Sequence, residues 1–198
     1  MAAPVVAVEP NAGTTAAIQR LLTGEELYRM SGLGSNDLIR GEIVERMPTG
    51  HLHGDIEFTI GFFLKSYLRK HKLGKLFGGE TGVYTGRNPD TVRGVDVAYM
   101  SYARYERVQS TSYLDIAPEL IVKIMSPQDT WTEVQEKLVE YFAIDVKVVW
   151  VVDPKLKQIH VFHALEEIHI LRLEDDLTCE DLLPGFSVPL TEIFDAEA

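Results

Sequence analysis

Apolar positions recur along this chain with two different periods, and the points where the period changes mark its elements. From Ile56 to Leu73 the residues Ile56, Ile60, Phe63, Leu64, Tyr67 and Leu68 stand three and four apart. That spacing predicts one long helix with a single apolar face, stopped by Gly74. Thr23 lies three residues before Glu26, as in a capping box, with Leu27 and Met30 at helical spacing behind it, so a short helix is expected to run to about Met30. A second capping box, Thr130 with Glu133, opens a helix through about Ile144.

The other apolar runs are short and strand-like. Asp37 to Arg46 predicts a half-buried strand pair turning at Arg40-Gly41. Lys75 to Thr85 and Thr91 to Ser101, joined by Gly86-Arg87-Asn88-Pro89-Asp90, predict a hairpin. Glu119 to Met125 and Lys147 to Val152 are rich in Leu, Ile and Val, as strands covered on both faces are. Leu120, Val122, Ile124, Val149 and Val151 are therefore expected in the core. Gln158 to Phe162 and Glu167 to Leu173 alternate as an antiparallel hairpin. This order of elements predicts an α/β fold with a mixed central sheet, its strand-helix-strand unit parallel and right-handed, with ligands where strand ends meet loops.

At 198 residues the chain fits one domain. Residues 1–22 read as a flexible tail without the basic start and apolar core of a secretory signal, and 23–198 as a single domain. No run approaches the roughly 18 apolar residues of a membrane span, so no membrane partner is expected. Cys179 is the only cysteine, which excludes an intrachain disulfide and fits a reducing cytoplasm.

Lys+Arg 19 against Asp+Glu 30 gives a net charge of −11, which opposes nucleic-acid binding through overall charge. A local basic patch is then required. Lys65, Arg69 and Lys72, in a cluster with Lys70, His71 and Lys75, share one helical face and could track a phosphate backbone. The same cations also complement the dipole at a helix end.

Asp96, Glu119 and Lys123 supply acids and a lysine on strands expected to be neighbours. Such a set can hold Mg²⁺, position water at a phosphodiester and stabilise charge, or can simply be paired structurally. Glu119 and Lys123 share a strand face but stand about 13 Å apart along it. His51 and His53 could chelate a metal from an extended segment, yet no cysteine or third histidine is nearby in sequence.

Several segments taken in order resemble the Uma2 family, also known as DUF820, a restriction-endonuclease group of the PD-(D/E)xK nuclease superfamily. They are Gly41-Glu42-Ile43-Val44-Glu45, Met47-Pro48-Thr49-Gly50 with His53-Gly54, Thr81-Gly82-Val83, Val92-Arg93-Gly94-Val95-Asp96-Val97-Ala98-Tyr99, Pro118-Glu119-Leu120-Ile121-Val122, Ser126-Pro127, Glu136-Lys137 with Tyr141, Val149-Trp150-Val151-Val152-Asp153-Pro154 and Leu183-Pro184-Gly185-Phe186. The resemblance spans about Thr23 to Phe194. It implies a restriction-endonuclease-like mixed sheet flanked by helices and Mg²⁺-dependent hydrolysis of DNA phosphodiester bonds; beside DNA, the expected partner is a second copy of the chain in a homo-oligomer, a dimer.

It also implies that Asp96 matches the metal-binding aspartate, with Val95 in place of the usual preceding proline. Lys123 stands where the family carries the glutamate that shares the metal. Either Asp96 then works with another acid, for which Glu80 is nearest, or the metal site is lost. Lys137 matches a family lysine that could supply the basic function, or could pair with Glu133 or Glu140 on its helix. His53 is implied to shape the pocket at the start of the long helix, where backbone N–H groups favour phosphate. Lys123 separates two readings, an endonuclease and a non-catalytic nucleic-acid-binding or protein-interaction member of the same fold.

Overall fold

The computed structural model describes residues 20–195 apart from 31 and 33. Most of the tail read over 1–22 lies outside these residues. At its described end, Leu22 donates its N–H to Gly41 O at 2.8 Å.

The short helix α1 (Gly24–Arg29) is opened by Thr23 with the complete capping box. The antiparallel pair β1 (Asn36–Ile39) and β2 (Glu42–Glu45) turns at Arg40 and Gly41, both with positive φ. Helix α2 (His51–His71) follows, then the hairpin of β3 (Gly74–Gly86) and β4 (Thr91–Ser101), and one turn of helix, α3 (Tyr102–Tyr105). β5 (Leu120–Ile124), α4 (Trp131–Ala143, with its Thr130 capping box) and β6 (Val148–Asp153) form the strand-helix-strand unit. β5 and β6 are parallel, as the sequence predicts. β7 (Gln158–Ala164) and β8 (Glu167–Leu171) make the next hairpin.

Two boundaries of α2 differ from the sequence reading. The helix begins at His51 rather than near Ile56, because the inward residue of its first turn is His53, a polar side chain that an apolar periodicity passes over. Lys72, not Gly74, makes the left-handed stop at φ 53°. Gly74 is already in β3, where a Cβ would stand 2.1 Å from Met100 O. The segment after Leu171 has no alternation to read. It forms β9 (Asp176–Thr178), β10 (Ser187–Pro189) and α5 (Leu190–Ile193), and its Leu177, Leu183, Phe186 and Leu190 join the core beside α2.

The main sheet runs β2-β1-β4-β5-β6-β7-β8, with β3 on β4. β3 pairs along β4 from Thr91 to Ser101. The opposite edge of β4 is shared, β1 taking Val92 and β5 taking Val97 to Tyr99. Between them the sheet forks. α2 packs Ile56, Ile60 and Leu64 on one face of the sheet, and α4 packs Val134, Leu138 and Tyr141 on the other. Leu120, Val122, Ile124, Val149 and Val151 are fully buried, as expected.

Candidate active site

Where β5 leaves β4, the backbone N–H of Ile124 loses its ladder partner, and a buried N–H cannot be left without an acceptor at small cost. Asp96, on the stretch of β4 inside the fork, accepts it at Oδ2 at 2.5 Å. Asp96 is 2% exposed. Beside it lies a cavity of about 410 Å³ that reaches Arg46, Glu80, Lys123, Asp129 and Lys137 and opens toward the start of α2 at Gly50.

Lys123 extends into this cavity from β5. Its Nζ lies 3.7 Å from Asp96 Oδ2 and 3.1 Å from Asp129 Oδ2, and donates to Ile124 O at 2.6 Å. Burial alone would push the pKa of this ammonium down. The Asp96 and Asp129 carboxylates outweigh that and hold it above the ordinary lysine value, so Lys123 stays charged. Burial works against the charged form of Asp96 too, but His53, Lys123 and the Ile124 N–H hold its pKa below the usual carboxylate range. Asp129 is placed by the turn after β5, where it accepts from Ser126 N at 2.7 Å.

His53 is 4% exposed, with Nε2 at 3.5 Å from Asp96 Oδ2 and Nδ1 at 3.9 Å from Glu57 Oε2. Neither ring nitrogen makes a hydrogen bond among the described residues, so these are ion-pair contacts. Burial disfavours the imidazolium, but Asp96 and then Glu57 offset it and raise the His53 pKa. His51 does not join this group. In the first turn of a helix two residues apart point to nearly opposite sides, and His51 is exposed, so the H-x-H pair does not converge on a metal.

Glu80 arrives from a bulge. Between Gly78 and Thr81, β3 carries one residue more than β4, and both Gly79 and Glu80 adopt positive φ, 67° and 61°. Gly79 N donates to Glu57 Oε1 at 2.9 Å, tying the bulge to α2. The glycine at 94 makes room for the carboxylate, since a Cβ there would stand 2.5 Å from Glu80 Oε2. Although the residue is exposed overall, its carboxylate feels burial and then the negative Asp96, which together raise its pKa.

A second charged cluster walls the fork. Asp37 on β1 accepts from Gly94 N at 3.0 Å, Arg93 Nη1 at 3.2 Å and Arg46 Nη2 at 2.5 Å. Arg93 also grips Glu140 of α4 with Nε and Nη2, at 2.8 and 2.5 Å. Lys137, also on α4, is buried against this wall and makes no hydrogen bond or ion pair among the described residues. Burial lowers its pKa, and attraction to Asp37 offsets only part of that.

The structure thus brings together Asp96, Lys123, Glu80, His53 and Lys137, and leaves out the rest of the residues singled out from sequence. Glu119 accepts from Ser101 N and Oγ at 2.9 and 2.6 Å and pairs with Arg104, which ties the start of β5 to the end of β4 away from the cavity. Lys65 and Arg69 lie on the second half of α2, Arg69 about 27 Å along the axis from His51. Lys72 is the left-handed cap and does not continue their face. The residues missed were Asp129, Asp37, Arg93 and Arg46. Arg93 did leave a signal, a guanidinium among the apolar residues of a strand expected to be buried, which has to find carboxylates there.

The profile of the Uma2 family, described as "Putative restriction endonuclease", matches residues 25–191. The chain belongs to the Uma2 family. A solved structure of similar fold is the crystal structure of "a putative nuclease belonging to DUF820" from Anabaena variabilis ATCC 29413, with a TM-score of 0.72 and 17% identity over 88% of this chain and 98% of that one. No protein of curated function matches. Family and fold together give a mixed sheet flanked by helices of the nuclease type.

The resemblance to PD-(D/E)xK nucleases would call for a divalent metal shared by two carboxylates. In this Uma2 member the donor set does not fit one, because the Lys123 ammonium sits at 3.7 Å from Asp96 and 3.1 Å from Asp129. A cation fixed between the two carboxylates neutralises them and repels a second cation.

Proposed function

We propose that this Uma2 member is a restriction-endonuclease-like protein that retains a phosphodiester-binding cleft for DNA while its own lysine silences metal-dependent hydrolysis. The observation that carries the reading is Lys123, held between Asp96 and Asp129 with its third contact on Ile124 O. The remaining charges of the cleft are also largely spoken for, Asp37 by Arg46 and Arg93. Lys137 is left free to receive an anion. The start of α2 has Gly50 as N-cap without a side-chain cap and no acid in its first turn, so its N–H groups favour phosphate as well.

One observation favours a second reading, an active nuclease using Asp96 with Glu80. Glu80 and Asp96 line the same cavity and the charge of Asp96 raises the Glu80 pKa, and like charges placed together are what a metal relieves. A plasmid-nicking assay with Mn²⁺ or Mg²⁺ separates the two. The silenced reading expects no nicking by the wild type or by Asp96→Ala, and nicking by Lys123→Glu. Wild-type nicking that disappears in Asp96→Ala establishes the second reading instead.

A further inference from the structure

Helix α2 buries Ile56, Ile60, Leu64 and Leu68, yet its opposite face is not simply polar. Phe58 is 77% exposed and Phe62 58% exposed. They stand one turn apart, so they form a single aromatic patch on the outside of the molecule. Single exposed apolar residues are ordinary, but two large aromatics side by side over an apolar groove are not. The groove, about 620 Å³, runs between α2 and β3 and includes Gly61, Leu76 and Phe77. At Gly61 an added Cβ would meet nothing within 4 Å, so another backbone can approach closely there.

The charges on this face are arranged by sign along the helix. The exposed Asp55 lies toward the start, and the exposed Lys65 and Arg69 lie beyond the phenylalanines. A helix with this order is complementary to a copy of itself running the other way. A two-fold axis passing near Ile60 sets Phe58 against Phe62 of the second copy and Asp55 against its Lys65, and each contact then occurs twice. A parallel arrangement would instead put like charges together.

We propose that the occupant of this face is a second copy of this chain, packed antiparallel through α2, with a four-phenylalanine centre and two Asp55–Lys65 pairs at its flanks. Buried aromatics at the centre with ion pairs at the rim are what specific interfaces contain. The length supports it, since 21 residues of helix span about 31 Å. The pairing also bears on the cleft. Glu57, on the edge of the same face, holds the N–H of Gly79 and with it the bulge that carries Glu80. A second copy packed on α2 therefore lies next to one wall of the cleft.

Sedimentation equilibrium of the full chain tests this. The wild type is expected at twice the 22.3 kDa chain mass at micromolar concentration. The double variant Phe58→Glu/Phe62→Glu is expected to be monomeric with an unchanged circular dichroism spectrum. Asp55→Lys alone should weaken the dimer roughly ten-fold or more, and adding Lys65→Asp should restore it, because the isologous pair is then rebuilt with its signs exchanged. Rescue of that kind cannot come from a folding defect. A monomeric wild type, which would leave the face to a different protein or a lipid surface, overturns the proposal. So does a dimer unaffected by the phenylalanine variant, or a failure of the second charge change to rescue the first.

Discussion

Two lysines meet in one cleft and are treated in opposite ways. Lys123 has carboxylates on two sides and stays charged, whereas Lys137 makes no hydrogen bond or ion pair among the described residues and is held below the ordinary lysine pKa by burial. For Lys137 the folded state disfavours the proton. It therefore costs stability in full below its folded pKa, and the cost fades as pH rises toward the unfolded value of about 10.4. Lys137→Met is expected to stabilise the protein at neutral pH by about 0.5–2 kcal/mol, with the gain shrinking as the pH rises toward the ordinary lysine pKa. Urea unfolding at several pH values reads this directly. A loss of stability at pH 7 would mean that the amine has a partner in the native cleft. A residue that weakens the fold it belongs to is retained for function more readily than for structure, which is why Lys137, rather than Lys123, is assigned the anion-receiving role.

At the scale of elements, the site is made by irregularities. β4 is paired at both ends of one edge and open between them, β5 diverges after Val122, and the β3 bulge lays the Glu80 carboxylate over Gly94. Glu80 holds a left-handed conformation that a non-glycine residue adopts at a cost of about 1–3 kcal/mol. Its carboxylate is also repelled by Asp96. Glu80→Gly removes both penalties and is expected to raise stability by about 1 kcal/mol, read by thermal or urea unfolding. A decrease would show that attraction of Glu80 to Lys123 and Lys137 exceeds the strain.

These irregularities also mark where sequence reasoning stops. The β3/β4 hairpin was legible because Gly86 to Asp90 carries strong turn chemistry, and β5 and β6 because their apolar runs need cover on both faces. The nearness of Lys123 to Asp96 followed from the family resemblance and not from strand spacing. Asp129 was out of reach, because period-two reasoning along β5 says nothing about a loop that folds back over the strand's end. β9, β10 and α5 escaped because their burial comes from docking beside α2 and not from any alternation of their own.

For the whole molecule, a net charge of −11 opposes nucleic-acid binding through overall charge, so the proposed phosphate contact rests on local attraction at Lys137 and the start of α2. The Uma2 fold supplies the frame, and on the proposed reading Lys123 of β5 silences it. In Lys123→Glu the internal cation is exchanged for a carboxylate facing Asp96, so the site should need an ion from solution. Isothermal titration of Mn²⁺ into the wild type and into Lys123→Glu measures that need. The wild type should give no binding heat at the cleft, and Lys123→Glu should bind one or more ions with a heat that disappears when Asp96→Ala is added. A wild type that binds Mn²⁺ with a heat abolished by Asp96→Ala would contradict the account, for the ammonium would then not stand in for the metal.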